Sequence, residues 1–166
     1  RIILPLAMVL ANLVNFLLFL LVVIFYLTLL SIWGGALTIG SGAIVLPIFI
    51  LLQFALCLGV SLIFSSLNVY FRDIEHIQGL VLMAWFFMSP VIYPISLVTD
   101  RFGEGIRILF FLNPMTGLVS AYRAALLGHP LPPLGLMALS GLVACLVLWI
   151  GLGLFSKLQV RFADVM

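Results

Sequence analysis

From Ile2 to Phe71 the chain runs without one charged side chain. A helix crosses the hydrocarbon core of a bilayer, roughly 30 Å, in about 20 residues, so so long an apolar run has to fold back on itself. The stretch "SIWGGALTIGSG" supplies the turn, with Trp33 at a boundary and glycines after it. This pattern predicts a first span over about 6–32 and a second over about 43–67. At "NVYFRDIEHIQG" the character changes, because Arg72, Asp73, Glu75 and His76 fall close together. A third apolar segment, about 77–98, holds Pro90 and Pro94. The polar loop "TDRFGEGIR" follows it, and a last span over about 134–155 lies between "GHPLPP" and "KLQVRFADVM". The expected fold is all-α, a polytopic membrane bundle with four spans.

The segment 108–127 is apolar, but Asn113-Pro114 interrupts it and Arg123 lies in its second half. A charge at the centre of a span costs about 2.5–3.5 kcal/mol on insertion scales. Positive residues near span ends favour the cytoplasm. With four spans, Arg1, the 72–76 turn and the tail carrying Lys157 and Arg161 share one side, which a fifth crossing would undo. The segment is therefore expected to form two short re-entrant outer helices joined at Asn113-Pro114, with Arg123 turned towards water or protein.

Composition agrees: 66% of the residues are hydrophobic and 7% charged, against about 25% charged in soluble domains. A net charge of +2, scattered along the chain, offers nothing to nucleic acid. Cys57 and Cys145 sit in apolar runs and are expected to be small buried hydrophobes. No metal site is expected: Asp73, Glu75 and His76 lack the HExxH spacing, and no GxxxxGK[ST] phosphate loop occurs. ATP chemistry would need another chain.

On a helical wheel, Gln78, Leu82, Trp85, Phe86, Ser89, Tyr93 and Ser96 share one side of the third span, and Leu80, Ala84, Phe87, Met88, Val91 and Ile95 the other. Polar groups gather on one stripe in lipid when they face a bundle or a cavity. Pro90 and Pro94 have no amide hydrogen, which is expected to free the carbonyls of Phe86 and Pro90. Gln78, Trp85, Phe86, Ser89, Tyr93 and Ser96 are therefore the candidate lining of a path through the bundle. Asn12, Asn15, Phe16, Phe19 and Tyr26 form a weaker stripe on the first span. Ala55 with Gly59, and Gly141 with Cys145, offer small faces for close packing.

The runs "SLNVYFRDIEHI", "WFFMSPVIYPISLV", "LNPMTGLVSAYRAALLG" and the closing "RFADVM" resemble the permease subunits of type-2 ABC exporters, in the branch that carries O antigen, capsule and teichoic acid polysaccharides. The resemblance implies a homodimeric permease of the bacterial cytoplasmic membrane, with six spans per full chain, the first two preceding Arg1. It implies a lipid-linked polysaccharide substrate, surrounding membrane lipid, and two copies of a separate ATPase subunit that hold ATP and magnesium. Arg72, Asp73 and Glu75 are then candidate contacts for that subunit, and Asn113, Pro114 and Arg123 for an outer gate. A membrane-embedded glycosyl or phosphate transferase and a non-transporting assembly subunit are the alternative functions.

Overall fold

A computed structural model describes residues 2–33, 45–69, 71, 73–129 and 131–159, the side chains of Glu104 and Gln159 excepted. The expected turn at 34–44, Arg72 and the tail after 159 lie outside those residues. Seven helices are described: α1 (Ile3–Ile32), α2 (Leu46–Asn68), α3 (Ile74–Met88), α4 (Ile95–Phe102), α5 (Glu104–Phe111), α6 (Pro114–Leu127) and α7 (Leu134–Gln159). Three of them, α1, α2 and α7, are long and apolar enough to cross a membrane. At 1.5 Å per residue α1 is roughly 45 Å long, more than a bilayer core requires, so it tilts or projects.

The third segment departs from expectation. It is not one helix over 77–98: α3 stops at Met88, the chain turns, and α4 begins at Ile95. The cause is local. A residue before proline is pushed out of the helical region, and Ser89, just before Pro90, is extended at φ −90°, ψ 139°. With 15 residues, α3 reaches roughly 22 Å, short of a full crossing.

The same effect shapes the next helices. Asn113, before Pro114, is extended at φ −77°, ψ 112° and caps α6, its side chain accepting from the Met115 amide. Gly103 joins α4 to α5 at φ +84°, and Gly128 closes α6 at φ +69°, both left-handed backbone that glycine adopts without strain. Two short helices joined at Asn113-Pro114 match the sequence expectation.

The core is built where α2, α6 and α7 meet, around Phe49, Leu56, Leu118, Ala121 and Ala144. Small residues permit it. A Cβ on Gly59 would stand 2.7 Å from the backbone of Leu148, and one on Gly151 would strike the carbonyl of Gly59. Gly117 of α6 is likewise pressed against Ser140 of α7, whose hydroxyl donates to the Phe111 carbonyl at 2.7 Å. Gly59 thus behaves as its sequence context suggests, but its counterpart on α7 is Gly151; Gly141 meets only the side chain of Leu52, at ordinary distance. Cys57 and Cys145 are exposed on the described bundle, not buried.

These contacts fix the direction of each helix. Leu52 meets Gly141 and Gly59 meets Leu148, so α2 and α7 run parallel. Ile2 shares a cavity with Gly153, Phe155 and Lys157, so α1 starts where α7 ends. The start of α1, the α2–α3 turn and the end of α7 therefore lie at one end of the bundle. At the other end α6 rises beside α1, Leu127 sharing a groove with Leu27.

Gly59→Ala is expected to destabilise the protein by about 1–3 kcal/mol through overpacking against backbone that cannot yield. Gly153→Ala, with open space around the added methyl, should leave stability unchanged. Thermal unfolding in detergent reads both.

Candidate functional site: a groove closed by a helical hairpin

Between α2 and α3 lies a groove of about 610 Å³. The α2–α3 turn makes these helices an antiparallel pair, and the groove runs along them from Asn68 and Gln78 near the turn to Leu56, Trp85 and Ser89. Aromatic faces of Phe64, Trp85 and Phe86 line it beside the hydroxyls of Ser61 and Ser65. Neutral hydrogen-bonding groups thus alternate with apolar walls, and none of the lining side chains is charged.

The hairpin of α5 and α6 closes the far end. Met115, in the first turn of α6, faces Leu56 and Trp85 across the groove. Behind it stands a polar node. The Trp85 indole Nε1 donates to Asn113 Oδ1 at 2.7 Å, and Asn113 Nδ2 donates to Ser89 Oγ at 2.9 Å. Ser89 Oγ in turn donates to the Trp85 carbonyl at 2.8 Å. One asparagine at the hairpin tip therefore binds the last turn of α3 through two side chains while capping its own helix.

A second tie lies further along. Arg123 of α6 reaches the turn between α3 and α4, where its Nη1 donates to the Tyr93 carbonyl at 3.2 Å and its Nη2 to the Val91 carbonyl. These are carbonyls that a continued helix would pair internally and that the broken chain cannot. The expectation for Phe86 needs correcting: its carbonyl is not left free, since the Ser89 amide donates to it at 3.2 Å.

Of the stripe read from the wheel, Gln78, Trp85, Phe86 and Ser89 line the groove. Ser89 is only 2% exposed, so it serves the node and is closed to a ligand. Tyr93 and Ser96 lie past the break, the Tyr93 hydroxyl donating to the Phe87 carbonyl at 3.3 Å and the Ser96 carbonyl accepting from Thr99. Leu80, Phe87 and Met88 face outward, as the wheel places them. Asp73 and Glu75 are exposed at the start of α3. Ser61, Ser65 and Asn68 were missed. Their spacing of four and three residues marks one helical face, a signal present in the sequence but hidden beside the small-residue face of the same helix.

The arrangement is that of a polytopic membrane helical bundle with a neutral, aromatic-walled groove and a helical hairpin folded into one of its ends. A family model described as ABC-2 type transporter matches residues 1–127, and the chain belongs to that family. Over 122 residues it is 34% identical to the O-antigen export system permease protein RfbA of Myxococcus xanthus, covering 73% of this chain and 46% of that protein. Two proteins of the same name from Klebsiella pneumoniae are each 28% identical over 123 residues, or 73% of this chain and 45% of theirs. The chain thus spans about half the length of the curated relatives it matches. No solved structure matches it.

The bonds at Asn113 give a graded prediction. Asn113→Ala strands the Trp85 and Met115 donors and removes the donor to Ser89, and should destabilise the protein by about 1–3 kcal/mol. Trp85→Phe removes one donor and leaves the cap intact, so its polar penalty is smaller. Chemical unfolding of both variants beside Asn113→Asp, which keeps the accepting oxygen, separates the roles.

Proposed function

We propose that this chain forms part of the permease of an ABC-2 exporter that passes an O-antigen-type polysaccharide through a bacterial cytoplasmic membrane. In this reading the groove between α2 and α3 carries the sugar chain. The groove's lining is the observation that supports it most. A moving polymer needs many weak contacts, and the ring faces of Phe64, Trp85 and Phe86 beside Ser61, Ser65, Asn68 and Gln78 offer stacking and neutral hydrogen bonds without a charge that would hold it. The names of the relatives, O-antigen export system permeases, favour this class of cargo.

Energy would come from ATP hydrolysed on a separate subunit present in two copies, against a homodimer of the permease, with the cargo still linked to its lipid carrier. The end of the bundle that holds the α2–α3 turn is then cytoplasmic, and Asp73 and Glu75, with Arg72, contact the ATPase there. Co-purification of that subunit with the full-length permease, in the wild type and in Asp73→Lys/Glu75→Lys, tests the contact: equal yields contradict it. The α5–α6 hairpin is the outer gate. Asn113 at its Pro114-led tip and Arg123 on its second helix hold it against the end of α3 and the α3–α4 turn, and it must move for the groove to open outward.

Cysteine accessibility tests the path. In a Cys57→Ala background, cysteines at Ser61, Ser65, Gln78 and Leu82 should react with charged, water-soluble thiol reagents in the assembled transporter, and polymer in transit should protect them. Cysteines at Leu80, Met83 and Phe87, on the opposite face of α3, should stay unreactive. Equal reactivity of the two sets, or no protection by polymer, contradicts the path.

A further inference from the structure

Among the described side chains none neutralises the charge of Arg123. No carboxylate among them pairs with it, and its recorded partners are the two backbone oxygens of Val91 and Tyr93. Carbonyl oxygens accept its hydrogens but cancel no charge, and a guanidinium has more N–H donors than two carbonyls use. An unbalanced cation inside a membrane protein draws an anion.

The surroundings say which kind. Arg123 and Val91 stand in the wall of a separate groove of about 430 Å³ between α1 and α6. Its remaining wall is hydrocarbon and aromatic ring, Phe16, Phe19, Val23 and Leu27 on α1 facing Val119 and Leu126 on α6. From Phe16 to Leu27 the α1 wall spans roughly 16 Å, about the depth of one leaflet. Arg123 sits four positions before Leu127, the last residue of α6, and so roughly 6 Å below that helix end. A cation near the mouth of an apolar trough one leaflet deep matches one molecule with an anionic head and a long chain.

We infer that the α1–α6 groove is a binding site for an anionic phospholipid of the leaflet on the side where α1 ends, its phosphate on Arg123 and an acyl chain along Phe16, Phe19 and Val23. Guanidinium suits phosphate because its planar fork offers parallel donors to two oxygens, and basic pockets between membrane helices take anionic headgroups by the same physics. The site borders the α3–α4 turn through Arg123, so the lipid head and the Val91 and Tyr93 carbonyls share one cation. It stands whether or not the α2–α3 groove carries a polymer.

The test uses the full-length permease in detergent, titrated with fluorescent phosphatidylglycerol and with phosphatidylcholine of the same chains. Both lipids offer Arg123 a phosphate, but the choline ammonium offsets that charge in phosphatidylcholine, so wild type should prefer phosphatidylglycerol by roughly tenfold. Val23→Trp fills the groove without touching the arginine and should abolish that preference, whereas Val22→Trp, on an exposed face of the same helix, should keep it. Arg123→Lys should keep part of the preference and Arg123→Gln none. Equal binding of the two lipids by wild type overturns the proposal. So does an undiminished preference in Val23→Trp, a measurement that survives even if Arg123→Gln fails to fold. Displacement of phosphatidylglycerol by equimolar inorganic phosphate also overturns it, since it would make the site one for a free anion.

Discussion

A helix broken inside a membrane leaves carbonyl oxygens without amide donors, and no water is at hand to replace them. Pro90 and Pro94 create that debt where α3 ends. The structure meets it with side chains from one element: Arg123 on α6 donates to Val91 and Tyr93, while Asn113 at the start of α6 secures Ser89 and Trp85. The break and the hairpin are therefore one unit. Without α6 the turn between α3 and α4 has unpaired polar backbone in an apolar phase, and without the break Arg123 has no carbonyls to meet.

The unit rests on a frame that holds α6 in place. Small residues along α6, among them Gly117, Ala121, Ala124 and Ala125, let it lie against α2 and α7, and the Gly59–Gly151 contact draws those two helices together. Because Met115 starts the same helix, whatever shifts α6 also shifts the wall that ends the α2–α3 groove. Packing, backbone satisfaction and the closure of the groove are thus three consequences of the position of one helix of 14 residues. α3, by contrast, has no buried residue in the described chain, so its position depends on the polar node more than on hydrophobic contact.

Much of this was legible in the sequence. The charge-free run announced α1 and α2, Asn113-Pro114 announced the hairpin, and the mixed charges at 72–76 announced the turn at the α3 start. The wheel located Gln78, Trp85, Phe86 and Ser89 on one face because α3 is regular that far. It failed for Tyr93 and Ser96 because a wheel assumes an unbroken helix, and the prolines end the helix at Met88. Tertiary register was beyond the pattern: nothing local says that Gly59 meets Gly151 and not Gly141, nor that Ser89 turns inward to an asparagine 24 positions away. Apolarity was a poor guide for Cys57 and Cys145, since apolar side chains of a membrane protein face outward as readily as inward.

Arg123 stabilises the fold by donating to the Val91 and Tyr93 carbonyls, which the helix break at Pro90 and Pro94 leaves without their helical partners. A thermodynamic cycle measures this directly. In Pro90→Ala/Pro94→Ala the helix can continue, letting the Val91 carbonyl take the Ile95 amide and the Tyr93 carbonyl the Leu97 amide. Arg123→Gln should then cost about 1–3 kcal/mol of unfolding free energy in the native background and close to nothing in the double-alanine background. An equal cost in both would show that Arg123 stabilises the protein through something other than the broken backbone, and would contradict the account.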